Sequence, residues 1–266
     1  ADYHWTEGQA PAVEAPFRSV DEALETEIRP VGETDIGKHT LRMIEYFLDQ
    51  THGRLPISLT DTQSPTNTAS FLVETSNFYM AFYDNPDGLK KLLALIAELL
   101  IGFTRKQMEL IGDTLVYPGH GFASSRSFSG LGMSDDVMIT LSAEQYREFE
   151  MPAIQTAGEP FGGPAIHSCG NWSGRTEMVK KIADLVMVDG AFSWETDPNC
   201  NLIPPFTESF AGTGVVLNAR IVGDTDVVID KVKQLWAPNM KLIVVTYSKT
   251  PEEQAQTYLR LNQLRQ

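Results

Sequence analysis

From residue 55 onward, short apolar runs alternate with longer segments in which apolar residues recur at helical spacing. Short apolar runs between turn residues are typical of buried strands, and a 3.6-residue spacing indicates amphipathic helices. The predicted strands cover residues 55–59, 114–117, 165–167, 185–188, 215–217 and 242–246. The predicted helices cover residues 86–111, 143–157, 174–183, 226–236 and 251–264. Because parallel strands need such crossovers, this alternation predicts a parallel α/β fold.

Several predicted strands are apolar on both faces, as strands covered by helices are. We therefore expect a TIM-type (β/α)8 barrel, and since such a barrel needs eight strands, two are not visible in the pattern. They would come from residues 1–54 or be missing with a truncated N-terminus, which the lack of an initiator Met favours. An open doubly wound sheet is the alternative, but no glycine-rich phosphate motif follows a strand.

The segment before residue 55 has little strand signal. Residues 1–39 are rich in Pro, Glu, Gly and Thr, which predicts a loosely structured arm with one helix near residues 20–27. Residues 40–49 have helical spacing. We therefore divide the chain into an arm, residues 1–39, and a barrel domain, residues 40–266.

Composition narrows the possible partners. The formal net charge of the 266 residues is −14, which argues against nucleic acid and anionic membranes, because both attract clustered Lys and Arg. No apolar stretch is long enough to span a bilayer. The N-terminal residues lack the features of a signal peptide, and only two cysteines, Cys169 and Cys200, are present. This pattern favours the reducing cytoplasm and a small-molecule substrate.

The most informative segment is Pro164–Asn171, with the sequence PAIHSCGN. Alternate residues of a strand point to one face, so His167 and Cys169 should point the same way. They lie where a strand ends, which in a barrel is the rim that carries active sites. Imidazole and thiolate suit Zn²⁺, and the same pair could instead be a nucleophile and its base.

Four segments together resemble the uroporphyrinogen decarboxylase superfamily, and most closely its zinc-dependent, corrinoid-linked methyltransferase branch. They are HSCGN at 167–171, YDNP at 83–86, one stretch in which SDD at 134–136 is followed by LSAEQYREF at 141–149, and TPEE at 250–253. Their order and spacing carry the resemblance, which runs from about residue 40 to the end. It implies a (β/α)8 barrel.

The methyltransferase branch further implies zinc held by His167 and Cys169, and a thiol substrate methylated from a methylcobamide on a partner corrinoid protein. The acidic ligand of the branch corresponds to Asp189, after the strand at 185–188. The third cysteine of the branch is missing, because the last strand reads LIVVTYS at 242–248. The resemblance thus implies Asp189 as the third ligand and leaves Glu195 and Cys200 as alternatives.

Other residues are candidates for the mouth of the barrel. His120, in a glycine-flanked loop, is a possible ligand or general base, and Asp136 with Asp135 a possible site for a substrate amine or a metal-bound water. The remaining candidates are Asn171 and Trp172 for cofactor contact, Trp194 for an apolar wall, Arg126 for an anion and Asp61 for lining the mouth.

Three hypotheses remain after this comparison. The first is a zinc methyltransferase acting on a small thiol, with His120 and Asp136 as catalytic residues. The second is a metal-free decarboxylase of the uroporphyrinogen type, although residues 1–54 carry no arginine-rich segment for substrate carboxylates. The third is a degenerate barrel that binds a ligand without catalysis.

Overall fold

The computed structural model describes residues 3–4, 7 and 12–264. Two short strands, β1 (Tyr3–His4) and β2 (Ala12–Val13), pair antiparallel with each other. The other seven strands run parallel to their neighbours. They are β3 (Ile57–Ser58), β4 (Leu115–Val116), β5 (Leu131–Ser134), β6 (Pro164–His167), β7 (Met187–Ala191), β8 (Val216–Arg220) and β9 (Lys241–Val245).

These strands form a parallel barrel of the TIM type in the order β3, β4, β5 and on to β9. Strands β5 to β9 form one sheet and β3 pairs with β4. The two parts meet at β5, where Gly132 N donates to Pro118 O (2.8 Å) and Ser134 N donates to Thr62 O (2.9 Å). Among the described residues, no backbone pairing joins β9 to β3. The six predicted strands are confirmed, and β5 is an additional one.

Helices cover the outside of the barrel. The long ones are α2 (Asp35–Thr51), α5 (Pro86–Ile111), α10 (Thr225–Leu235) and α11 (Pro251–Gln263). The shorter ones are α1 (Val20–Glu25), α3 (Pro65–Leu72), α4 (Thr75–Asp84), α6 (Ala143–Gln145), α7 (Met151–Gly158), α8 (Thr176–Val179) and α9 (Ile203–Phe210). A π-helical turn at Tyr146–Glu150 joins α6 to α7.

Sequence analysis predicted these helices with three omissions and two errors of length, since α2 extends well beyond the predicted residues 40–49. Helices α3, α4 and α9 were not predicted, and α8 is much shorter than the predicted 174–183. Asn85 caps α5 by accepting from Gly88 N (3.1 Å), and the Ser142–Gln145 capping box forms at α6. No described helix combines the length and the apolarity needed to cross a membrane.

The two faces of the sheet have different partners because side chains alternate along each strand. Ile166, Val188 and Leu217 belong to the large core shared with the helices. Ala165 and Met187 pack on the other face against Phe122. Phe122 belongs to the helix-free connection between β4 and β5, which therefore fills part of the barrel interior.

The arm predicted for residues 1–39 contributes to the core. Val20 and Ala23 of α1 are buried and belong to the large cluster. In the described part of residues 1–54, the strands are β1 and β2, and neither joins the parallel strands. The boundary at residues 39 and 40 stays a prediction.

Candidate metal centre

A row of polar side chains crosses the interior face of the barrel at the carboxyl ends of four strands. The strand register aligns Ser134 with His167, His167 with Asp189, and Asp189 with Asn218. His167 and Asp189 share the face of Ala165 and Met187 because each lies two residues further along the same strand, and the register brings Ser134 and Asn218 to the same face. The row lies at the rim where barrels carry their active sites.

Asp189 holds the imidazole of His167 from one side. His167 Nδ1 is 2.7 Å from Asp189 Oδ2, and His167 Nε2 on the opposite side of the ring is 3.4 Å from Cys169 Sγ. With a carboxylate at Nδ1, the proton stays there and Nε2 keeps its lone pair. His167 is therefore oriented to offer Nε2 as a ligand next to the thiol of Cys169.

Asp189 is itself fixed by two further donors. Arg220 Nε donates to Oδ2 (2.9 Å), and Asn218 Nδ2 donates to Oδ1. Burial by itself would raise the pKa of Asp189, but the hydrogen bonds from His167 and Asn218 and the charge of Arg220 outweigh burial and lower it. Asp189 is therefore an ionised carboxylate that supports His167 from behind.

Asp136 completes a group of three donors. Its Oδ1 accepts from the backbone N–H of Cys169 (2.7 Å) and its Oδ2 from Ser134 Oγ (3.0 Å). One ligand atom each of Asp136, His167 and Cys169 lies within 4.8 Å of the others. In the described part of the chain this is the one group of its kind, so Asp136, predicted as a catalytic residue, lies where a third ligand belongs.

The donor set of this group fits zinc. Zinc–nitrogen bonds of about 2.0–2.1 Å and zinc–sulfur bonds of about 2.3 Å at a tetrahedral angle put nitrogen and sulfur about 3.5 Å apart. The observed separation of His167 Nε2 and Cys169 Sγ is 3.4 Å. Imidazole nitrogen, thiolate sulfur and carboxylate oxygen are all zinc ligands, and catalytic zinc sites use three protein ligands and leave a fourth position open.

Without a metal the thiol of Cys169 is a poor nucleophile. Burial, together with the charge and the hydrogen bond of Asp136, raises its pKa to about 11. The thiolate is the reactive form of cysteine, and a free thiol with this pKa stays protonated at neutral pH. The geometry therefore favours a metal-bound thiolate over a nucleophile activated by His167.

A second histidine faces the same centre. The ring centroid of His120 is 4.9 Å from that of His167, and Nδ1 of His120 is hydrogen-bonded to Asp61. His120 has a positive φ of 48°, which turns the backbone sharply after β4. The hydrogen bond from His120 lowers the pKa of Asp61, although burial opposes it. His120 and Asp61 thus form an ionic or hydrogen-bonded pair at the mouth.

Four other candidates do not belong to this centre. Glu195 is exposed and Cys200 is half-buried, and neither belongs to the donor group that the described residues form. Trp194 and Arg126 are exposed on loops. The ligand roles of Asp189, Glu195 and Cys200 stay predictions, and the geometry favours Asp136 over each of them.

Of three further candidates, two are buried and one lies half-exposed in a turn. Trp172 is buried against Phe206, with ring centroids 4.4 Å apart, so its contact with a cofactor stays a prediction that this packing does not favour. Asn171 accepts from Ser173 N (3.1 Å) in the turn after β6. The expectation that Asp135 faces the mouth is wrong, because it is fully buried and accepts from Tyr146 OH (2.9 Å).

Sequence reasoning missed Asn218 and Arg220. Both lie on β8, two residues apart, with Arg220 as its last residue, so they carry the same period-two signal that identified His167 and Cys169. The predicted strand ended at residue 217, one position before Asn218, and this hid the signal. Asp197, which accepts from Gly170 N (2.8 Å) and ties two rim loops together, had no signal of its own.

Comparison with known proteins identifies the family. The sequence matches the family model of uroporphyrinogen decarboxylase (URO-D) over residues 1–244, so the chain belongs to this family. A solved structure of a methyltransferase from Methanosarcina mazei has the same fold, with a TM-score of 0.70 and 14% sequence identity. The alignment covers 100% of this chain and 76% of the other. No curated protein matches the sequence.

Proposed function

We propose that this protein is a zinc-dependent methyltransferase that moves a methyl group between a corrinoid carrier and a small thiol. The observation that supports this most strongly is the group of Asp136, His167 Nε2 and Cys169, with Asp189 behind the imidazole. A nitrogen and a sulfur donor at this separation are what a zinc site requires. The methyltransferase from Methanosarcina mazei supports the proposal through its shared fold.

In this proposal Asp136, His167 and Cys169 hold the zinc and leave a fourth position for the substrate. Bound zinc would lower the pKa of a substrate thiol, so that the thiolate forms at neutral pH. Residues around the centre orient the His167 ligand. Asp189 keeps the proton of His167 on Nδ1, while Arg220 and Asn218 keep Asp189 ionised and in place.

The pair of His120 and Asp61 would handle the proton released by the thiol. With Asp61 accepting from Nδ1–H, the Nε2 atom of His120 carries the lone pair. The ring of His120 lies next to that of His167, so a substrate at the fourth position would be within reach of it. This assigns to His120 the role of general base.

The corrinoid carrier is proposed from the family resemblance alone. The contacts of Asn171 and Trp172 with this carrier rest on the same resemblance. A cytoplasmic location is proposed from the sequence, because its two cysteines suit a reducing compartment. A metal-free decarboxylation, the activity for which the family is named, is the second candidate, and the family match favours it.

The test is methyl transfer from free methylcobalamin to a panel of small thiols, followed by the loss of methylcobalamin absorbance and by detection of the thioether. We expect the wild type and Cys200→Ser to be active, and Cys169→Ser and chelator-treated protein to lose activity. Cys200 is the matched control because it is the other cysteine of the chain. Activity that survives both the chelator and Cys169→Ser would refute the zinc mechanism. Chelator-resistant release of carbon dioxide from a porphyrinogen would favour the decarboxylase.

A further inference from the structure

The turn that follows β6 carries Cys169, and a loop from the neighbouring strand holds this turn. Gly170, directly after Cys169, has a positive φ of 71°, and both of its backbone polar groups are bonded to the loop. Its N–H donates to Asp197 Oδ2 (2.8 Å), and its carbonyl accepts from Asn201 Nδ2 (3.3 Å). The loop between β7 and α9 therefore fixes the backbone on the C-terminal side of Cys169.

Asn201 anchors this loop to the body of the barrel. Its buried side chain accepts from Trp172 N (2.8 Å) through the amide oxygen and donates to Ala191 O (3.2 Å) through the amide nitrogen. The backbone N–H of Asn201 donates to the same Ala191 carbonyl, at the end of β7 (2.8 Å). Nearer the start of the loop, Asp197 N donates to Ser193 O (3.1 Å). The loop is therefore held at both ends.

Asp197 connects the loop to the turn through a carboxylate whose two oxygens both accept from backbone N–H groups. Oδ2 accepts from Gly170 N, and Oδ1 accepts from Asn199 N (2.8 Å). Asp197 does not belong to the group of three metal donors that the described residues form. Apart from its charge, Asp197 can therefore act on a metal only through the turn that carries Cys169.

Cys169 is exposed, so packing against neighbouring side chains does not fix the direction of its thiol. On the N-terminal side, Asp136 Oδ1 accepts from the backbone N–H of Cys169 (2.7 Å). We propose that Asp197 is a positioning residue, whose hydrogen bond to Gly170 keeps the thiol of Cys169 directed to the metal position before a metal binds. This inference rests on the proposed function, because it assumes zinc at Cys169. A ligand held in advance loses less conformational freedom on binding, so without this hydrogen bond the zinc affinity falls.

Zinc affinity in three variants separates the hydrogen bond of Asp197 from its charge. Asp197→Ala removes both acceptors, whereas Asp197→Asn removes the charge and keeps one accepting oxygen for Gly170 N. In competition with a chromogenic chelator, we expect Asp197→Ala to bind zinc about tenfold more weakly, the lower end for a residue that supports a metal ligand, and Asp197→Asn to stay close to the wild type. Asp197→Ser, whose hydroxyl lies one bond nearer the backbone, should lose affinity as Asp197→Ala does. Glu195→Ala is the matched control, since Glu195 is an exposed carboxylate of the same loop, and it should change nothing.

The absorption spectrum of the cobalt-substituted protein gives a readout that a purely structural role would not move. Cobalt bound by a thiolate has a sulfur-to-metal charge-transfer band, which depends on the direction of the thiolate. We expect this band to shift or weaken in Asp197→Ala and to keep its wild-type form in Asp197→Asn. If the wild type binds metal, an unchanged band in both Asp197→Ala and Asp197→Ser would overturn the inference, and so would an equal loss of affinity in Asp197→Asn, which would assign the effect to charge. A wild type that binds neither zinc nor cobalt would contradict the proposed function, and the inference with it.

Discussion

Asp189→Asn is the most informative substitution, because it removes the support of His167 and leaves all three proposed ligands in place. The carboxylate accepts hydrogen bonds from His167, Arg220 and Asn218. An amide of the same shape has one accepting oxygen, and its NH2 group must face at least one of these donors. The imidazole therefore loses the charge that fixes the proton on Nδ1.

The expected loss can be worked out for zinc and for folding separately. Removing a carboxylate that supports a metal-bound histidine costs about 10–100-fold in metal affinity, which is about 1.4–2.7 kcal/mol. Breaking a buried ion pair costs about 3–5 kcal/mol. The side chain of Arg220 is 23% exposed and that of Asp189 is 3% exposed, so water can still solvate Arg220 when the carboxylate is removed. We therefore expect Asp189→Asn to lower the free energy of unfolding of the metal-free protein by about 3 kcal/mol or less.

The assay is competition with a chromogenic zinc chelator, together with urea unfolding of the metal-free protein. Asp189→Asn should still bind one zinc per chain, with the weakened affinity given above. Glu195→Gln is the matched control, since it is an exposed carboxylate after the same strand, and it should change neither quantity. If Asp189→Asn abolishes zinc binding as fully as Cys169→Ser does, Asp189 is itself a ligand. Unchanged zinc affinity would refute the supporting role.

Two further predictions concern other carboxylates. Burial raises the pKa of Glu150 well above its usual value, helped by the charge of Asp135, so an unfolded chain ionises this group at lower pH than the folded chain. The contribution of Glu150 to the free energy of unfolding therefore falls as the pH rises above about 4.5. We expect Glu150→Gln to raise the free energy of unfolding by about 1–3 kcal/mol at pH 8 and to leave it unchanged at pH 4. Equal destabilisation at both values in urea melts would contradict this. Asp61→Asn should lower kcat for methyl transfer roughly tenfold to a hundredfold and change its pH profile, with zinc affinity unchanged. An unaltered pH profile would exclude the pair from proton transfer.

Sequence patterns identified the strands that are continuous apolar runs and missed the one that is not. Strand β5 reads Leu-Gly-Met-Ser, with two residues of low strand propensity. Gly132 is needed there, because a Cβ would lie 2.9 Å from the backbone oxygen of Gly119. The loop that carries His120 comes so close that Gly132 is required at this position, and a glycine weakens the strand signal in the sequence. Such long-range contacts cannot be read from local periodicity.

The sequence predicted the residues of the metal centre that belong to one strand better than those that depend on contacts between strands. Period-two alternation placed His167 and Cys169 on one face, and their position at a strand end placed them at the rim. The role of Asp136 depends on the loop after β5 folding back to the backbone N–H of Cys169. The roles of Asn218 and Arg220 depend on the register between β7 and β8. The pattern of polar and apolar residues along the chain predicts neither the position of this loop nor the register between the two strands.

The central claim is that Asp136, His167 and Cys169 bind zinc, and metal content tests it most directly. The purified protein is saturated with zinc, freed of excess by gel filtration and measured by atomic emission. We predict about one zinc per chain for the wild type and for Cys200→Ser, and well under about one for Cys169→Ser, with the circular dichroism spectrum of the wild type retained. A folded wild-type protein that retains no zinc under these conditions would contradict the account.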